Sequence, residues 1–227
     1  MKTDFLFIKR SVPIVLRALS VLFVAFSFGY ALVLHNAVSV DVSKNFYFLV
    51  SETTHLEAGS FLAQQMGGAG YFLEDSTGEY VALAVYTDLS DAQSVQDSLQ
   101  GQEVTIVKKS VDTLRFKTRE EKRRASVVVN ALERLYAYID LINQESFRLE
   151  KGGTQRSSKT FLEILCKQFS YTANEYEGEY PSFARVCKQA EEALAACRET
   201  TVFATDLRYL ACSLSNSFVN LCKNFSL

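Results

Sequence analysis

Hydrophobic residues dominate the N-terminal part of the chain almost without interruption. Residues 18–34 carry no charge, and apolar neighbours extend the run over residues 12–40. A membrane core of roughly 30 Å requires about 20 apolar residues in a helix. The pattern therefore predicts a transmembrane helix over residues 12–37, preceded by a tail of residues 1–11.

The charges beside this run predict its orientation. Lys2, Lys9, Arg10 and Arg17 precede the apolar core, whereas residues 35–42 contain no lysine or arginine. Because positive charges favour the cytoplasmic side, we expect a cytoplasmic tail and a single-pass protein of the cell membrane whose bulk is extracytoplasmic. A cleaved signal peptide is the alternative, since small residues near the end of the run have the spacing of a cleavage site.

The next segment, residues 45–109, alternates between strand-like and helix-like patterns. The predicted strands span residues 45–51, 71–73, 79–86 and 103–108. Two segments between them have helical spacing, with apolar positions Ala58, Phe61, Leu62 and Met66 in the first and Ala92, Val95 and Leu99 in the second. This order predicts a ferredoxin-like βαββαβ module, an antiparallel sheet with both helices on one face.

The remainder of the chain has the apolar spacing of long helices. Breaks at paired glycines and at a Gly/Pro segment predict an antiparallel helical bundle over residues 117–225. Its predicted helices span about 117–150, 157–177 and 182–224, the last being either one very long helix or two helices joined near residues 199–201. The expected fold class is α+β, with a transmembrane helix, a βαββαβ module and a bundle.

Both faces of the predicted sheet are apolar. Successive strand residues point to opposite faces, so one face is covered by the two helices of the module and the other exposes an apolar patch. The binding-face candidates in this patch are Tyr47, Leu49, Val81, Leu83 and Val85. Soluble proteins rarely leave such a patch open. We therefore expect the C-terminal helices of the chain or a partner protein to cover it.

Several short motifs of the module occur in a recognisable order. It opens on residues 47–51, begins its hairpin at Gly70-Tyr71, forms a strand over residues 80–86, and places Asp91-Ala92 in its second helix. In this order it resembles a divergent SPOR domain of clostridia-type bacteria. That family consists of small extracytoplasmic modules that bind peptidoglycan glycan strands lacking stem peptides. The resemblance implies a role at the cell envelope in sporulation or cell division.

The module also departs from the SPOR pattern. Members commonly carry a glutamine in the first strand and a Gly-Pro-Phe-like end to the third, where this chain has Leu49 and Val85-Tyr86-Thr87. A glycan groove needs hydrogen-bonding groups, which these positions lack. We therefore expect localisation or binding of an envelope protein partner through the module and the bundle. Direct binding of denuded glycan strands by the sheet is the alternative.

The residues that carry most enzymatic chemistry are scarce. Only two histidines occur, and the five cysteines, all in the bundle, form no CxxC pair. We expect no catalytic, cofactor-binding or metal-ligating residues, and cysteines buried at helical seams, with one or two disulfides as the alternative. A net charge of −2 argues against nucleic-acid binding. This value conceals an acidic module, because residues 38–109 carry a net charge of −7.

Overall fold

The computed structural model describes residues 37–51, 55–75, 78–99 and 103–225. The chain is α+β, with a four-stranded antiparallel sheet and six helices in this described part. Its elements are β1 (Val38–Ser51), α1 (Leu56–Gln65), β2 (Tyr71–Asp75), β3 (Gly78–Tyr86), α2 (Leu89–Ser98), β4 (Val104–Phe116), α3 (Arg119–Glu150), α4 (Gln155–Tyr176), α5 (Pro181–Glu199) and α6 (Ala204–Lys223). The sheet order is β2-β3-β1-β4.

The fold prediction, which included a transmembrane helix, is wrong for the part of the apolar run that the structure describes. Val38 and Val40, which extended the apolar run, belong to β1 and pair with Phe116 and Leu114 of β4. Polar residues alternate with these valines, and this period of two is typical of a strand. No helix in the described part of the chain is long and apolar enough to cross a membrane. The predicted tail and residues 12–36 of the predicted helix lie outside the described residues.

Two further boundaries differ from the prediction. β1 begins before residue 45 and β4 continues past residue 109, because their extensions pair with each other from Val38 to Phe116. The module and the bundle also share one core, since Leu114 and Phe116 are buried in the same cluster as the helices. The last predicted helix is two helices, α5 and α6, separated by the residues between Glu199 and Ala204.

One face of the sheet, here the bundle face, consists of Phe46, Phe48 and Val50 together with the residues paired to them. The ring centroid of Phe46 lies 5.6 Å from that of Tyr136 on α3 and 5.2 Å from that of Phe218 on α6. Edge-to-face and tilted contacts at such distances are favourable beyond the area they bury. These rings therefore join the sheet to the two helices that cover it.

The opposite face, here the short-helix face, contains Leu49, Ala84 and Tyr86. These residues form a smaller buried cluster with Ala92 of α2, and Phe147 from α3 packs against it. α3 has 32 residues, a length of about 48 Å at 1.5 Å per residue, which is long enough to serve both clusters. Each face of the sheet is thus covered by helices of the same chain.

We predict that Phe46→Ala lowers the free energy of unfolding by roughly 3–5 kcal/mol, because it leaves a cavity between the sheet, α3 and α6. Tyr171→Ala is the matched control, since Tyr171 on α4 is 70% exposed, and its effect should stay within about 0.5 kcal/mol. Urea denaturation followed by circular dichroism measures both. Equal effects would mean that the bundle does not rest on the sheet.

Candidate functional site

The five binding-face candidates do not share one face. Leu49, Val81 and Val85 are buried, whereas Tyr47 and Leu83 are half-buried. Val85 pairs with Phe48 and belongs to the core of the bundle face. The other four lie on or beside the short-helix face.

A β-bulge explains this division. Leu49 pairs with Ala84 and the next residue, Val50, pairs with Ala82, so Leu83 has no partner on β1. An extra residue in one strand reverses the alternation of side chains beyond it. Side chains along β3 were predicted to alternate strictly between the two faces. They alternate before Leu83 and after it, but the alternation is interrupted at Leu83.

The prediction of which helices cover which face of the sheet was also wrong. The two short helices were predicted to cover the face opposite Leu49, but α2 packs against Leu49 and the bundle packs against Phe46. Within the described residues neither face of the sheet is open. A binding surface must therefore lie on the helices or between them and the sheet.

The outer side of α1 is such a surface. We call it the α1 stripe, composed of Ala58, Phe61, Leu62 and Met66, which occur at helical spacing. Phe61 is 63% exposed, Leu62 56% and Met66 52%. The sequence predicts the helical spacing of these residues but not which side of α1 they occupy, and in the structure the stripe faces solvent. An outward apolar stripe on a short helix is a feature of interaction surfaces.

The opposite side of α1 shows why the stripe faces outward. Ser60 donates a 2.7 Å hydrogen bond from Oγ to the carbonyl oxygen of Gly70. Gly70 has φ +64°, and a Cβ there would lie 2.6 Å from the Ser60 carbonyl oxygen. Ala63 is the buried residue of the helix. Only small residues allow this close approach, so the larger apolar residues lie on the other side.

The module that carries the α1 stripe is acidic. Glu57 lies in the first turn of α1, and Asp88, Asp91 and Asp97 lie on or before α2. Asp88 caps α2 and accepts hydrogen bonds from the Ser90 hydroxyl and backbone N–H, which lower the pKa of its carboxyl group. These carboxylates add to the negative charge of residues 38–109. The negative charge of the module therefore favours a cationic rim on whatever binds the stripe.

A cavity lies between α1 and α2, and we call it the α1–α2 cleft. Its volume is about 460 Å³, and Leu49 and Leu83 from the predicted binding face line it. Burial raises the pKa of Tyr86, another lining residue, to about 12, although the Arg208 cation opposes the shift. The phenol is therefore neutral near pH 7. The cleft is apolar over most of its lining, with charged residues contributed by the ends of α3 and α6.

The residue types that carry metal or redox chemistry are dispersed in the described residues. All five cysteines are free, four of them buried and Cys197 half-buried. Burial raises the pKa of Cys187 to about 12 and that of Cys197 to about 11, so both are neutral thiols near pH 7. The described part of the chain holds no group of three or more histidine, cysteine, aspartate or glutamate residues able to bind a metal ion. His55 directly precedes α1, while His35 lies outside this part.

Comparison with known proteins gives no relative. No protein-family model matches the chain, and neither a curated protein nor a solved structure matches it.

We predict that one charge changes stability by very different amounts at two adjacent positions of α1. Leu62→Glu should change the free energy of unfolding by less than about 1 kcal/mol, because Leu62 is exposed. Ala63→Glu should lower it by roughly 3 kcal/mol or more, because Ala63 is buried and the carboxylate would have no partner there. Urea denaturation compares the two variants. A larger loss for Leu62→Glu would contradict the outward orientation of the stripe.

Proposed function

We propose that this chain is a non-catalytic docking protein and that the α1 stripe is its docking surface. The partner is a protein with an apolar patch bordered by lysine or arginine. The resemblance to SPOR domains supplies the setting of the proposal, which is the cell envelope during sporulation or division. The observation that carries it is the exposure of Phe61 and Leu62 on α1 and of Met66 at its C-cap.

Burial of the stripe would make association favourable. Three half-exposed side chains of this size present on the order of 200 Å² of apolar surface, which corresponds to about 5 kcal/mol when it is removed from water. Such a stripe matches the spacing used when an amphipathic helix enters an apolar groove. The hydrogen bond from Ser60 to Gly70 holds the helix in one orientation, so docking would need little ordering of α1.

Charge supports the choice of partner. The acidic residues of the module repel anionic surfaces and attract basic ones, which raises the rate of encounter with a suitable partner. Glycan strands lacking stem peptides would gain little from an apolar stripe. The alternative of direct glycan binding by the sheet has less support, because α3 and α6 cover the bundle face and α2 covers the Leu49 cluster.

Site-specific photocrosslinking tests the docking surface. The full-length chain, with p-benzoylphenylalanine in place of Phe61, is irradiated in its native cells. We expect one protein adduct of defined mass, because position 61 lies on the docking surface. Adding Leu62→Glu to the same chain should abolish the adduct, since a carboxylate would enter the apolar contact.

The matched control carries the crosslinker in place of Tyr171, which is 70% exposed on α4. Adducts common to both positions, or none from position 61, would contradict the proposal. An adduct of twice the mass of the chain would identify a second copy and contradict a distinct partner.

A second experiment separates protein docking from glycan binding. Purified full-length protein is mixed with peptidoglycan sacculi whose stem peptides have been removed by an amidase, and the sacculi are pelleted. We expect the protein to stay in the supernatant, because helices of its own chain cover the sheet. A genuine SPOR-domain protein that pellets serves as the positive control. Saturable pelleting of this chain would support the glycan alternative.

A further inference from the structure

Basic side chains are concentrated where β4 ends and α3 begins. Residues 115–124 contain six basic and two acidic residues, a net charge of +4, although the whole chain carries −2. Five of the basic residues form no ion pair with another described residue, and we call them the basic cluster: Arg115, Lys117, Arg119, Lys122 and Arg123. Four of the five are exposed, and Lys122 is half-buried.

The two carboxylates of this segment are engaged within it. Glu121 accepts hydrogen bonds from the backbone N–H groups of Lys117 and Thr118, and its own N–H donates to the Thr118 hydroxyl. These bonds form the capping box that begins α3. Glu120 pairs with Arg124 at 2.7 Å. The positive charge of the basic cluster therefore stays available to an external anion.

The cluster faces away from the core of the protein. Arg119 and Arg123 are exposed on one side of α3, and Ser126 continues the same side at helical spacing. The two cluster residues before the helix flank the buried Phe116. Because side chains alternate along a strand, those two leave the sheet on the side opposite to Phe116. The cluster is thus an outward-facing surface at one end of the fold.

The N-terminal apolar run joins the described structure at the same end. Val38 pairs with Phe116, and Ser39 pairs with Arg115. The uncharged residues 18–34 precede this strand pair directly in the sequence. Apolar side chains favour lipid over water. A bilayer with anionic headgroups would therefore match both neighbours, the apolar run and the cations.

We propose that the basic cluster binds the anionic headgroups of a lipid bilayer. One lysine or arginine near such a surface strengthens binding about fivefold, and the cluster supplies five of these residues. Guanidinium groups also donate charge-assisted hydrogen bonds to phosphate oxygens. A nucleic acid or an acidic protein would complement the charge as well, but neither would complement the apolar run beside it.

This contact leaves the α1 stripe available to a protein partner. β1 has 14 residues, a length of about 45 Å, with Val38 beside the cluster and Ser51 at the far end, where the chain continues into α1. The acidic charge of the module is repelled by an anionic bilayer. The cluster and the stripe share no residue, so the lipid contact does not depend on the docking proposal.

A fluorescent side chain beside the cluster tests the lipid contact. Ser126 of the full-length protein is replaced by an encoded amino acid whose emission moves to shorter wavelength in less polar surroundings. The protein is reconstituted by detergent removal into phosphatidylcholine vesicles that contain increasing fractions of phosphatidylglycerol. We expect a blue shift that grows with the phosphatidylglycerol fraction and is absent in phosphatidylcholine alone. Raising NaCl from about 0.1 M to about 1 M should abolish it, since the Debye length falls from about 10 Å to about 3 Å.

Two double variants locate the charges responsible. Arg119→Gln with Arg123→Gln removes two cluster cations and should reduce the blue shift roughly threefold or more at the same lipid composition. Lys151→Gln with Arg156→Gln is the matched control, because it removes two exposed cations at the other end of α3. This control and Leu62→Glu should give the blue shift of the parent chain. Thermal melting by circular dichroism checks that all three variants are folded, as expected for exposed positions.

Four results would overturn the proposal. They are no blue shift with phosphatidylglycerol, an equal shift in phosphatidylcholine alone, equal losses in the two double variants, and a lost shift in Leu62→Glu. The same fluorophore in place of Tyr171, which is 70% exposed on α4, should show no shift. An equal shift there would indicate general adsorption. A shift that grows with protein concentration without vesicles would assign the cluster to the acidic module of a second copy, and both results would also overturn the proposal.

Discussion

The contact between Phe46, Tyr136 and Phe218 determines most of this architecture. A four-stranded sheet with aromatic and aliphatic residues on both faces needs a cover on each face. An uncovered face would expose its apolar side chains to water, which is unfavourable. α3 and α6 supply the second cover. The ring centroids of Tyr136 on α3 and Phe218 on α6 lie within 5.6 Å of the ring centroid of Phe46. The bundle is therefore part of the core of the module and cannot be regarded as a separate domain beside it.

The order of the strands and short helices could be predicted from the sequence, because hydrophobic periodicity and turn residues are local signals. The need for a second cover could be predicted as well, since it follows from Phe46, Phe48 and Leu49 alternating within β1. The bulge at Leu83 could not, because β-bulges depend on the pairing of two distant strands and leave no periodic pattern. That single residue changed the face assigned to Val85.

The orientation of α1 could not be predicted from the sequence either. Periodicity identifies an apolar stripe but does not identify which side of a helix is buried when the other side is lined by small residues. Ser60 and Ala63 are small enough for α1 to lie close to the sheet. Gly70 leaves room for Ser60 because it has no Cβ. α1 and the segment that contains Gly70 are adjacent in sequence. Their small residues were therefore the signal in the sequence that could have indicated the buried side of α1. The N-terminal run illustrates the same limit, since its last valines alternate with polar residues and belong to β1.

The position of Arg208 gives the bundle a further role beyond covering the sheet. The residue belongs to α6, yet it binds the carbonyl oxygen of Gly67 just after α1 and the carboxylate of Glu150 at the end of α3. It therefore connects both long helices to the segment that follows the α1 stripe.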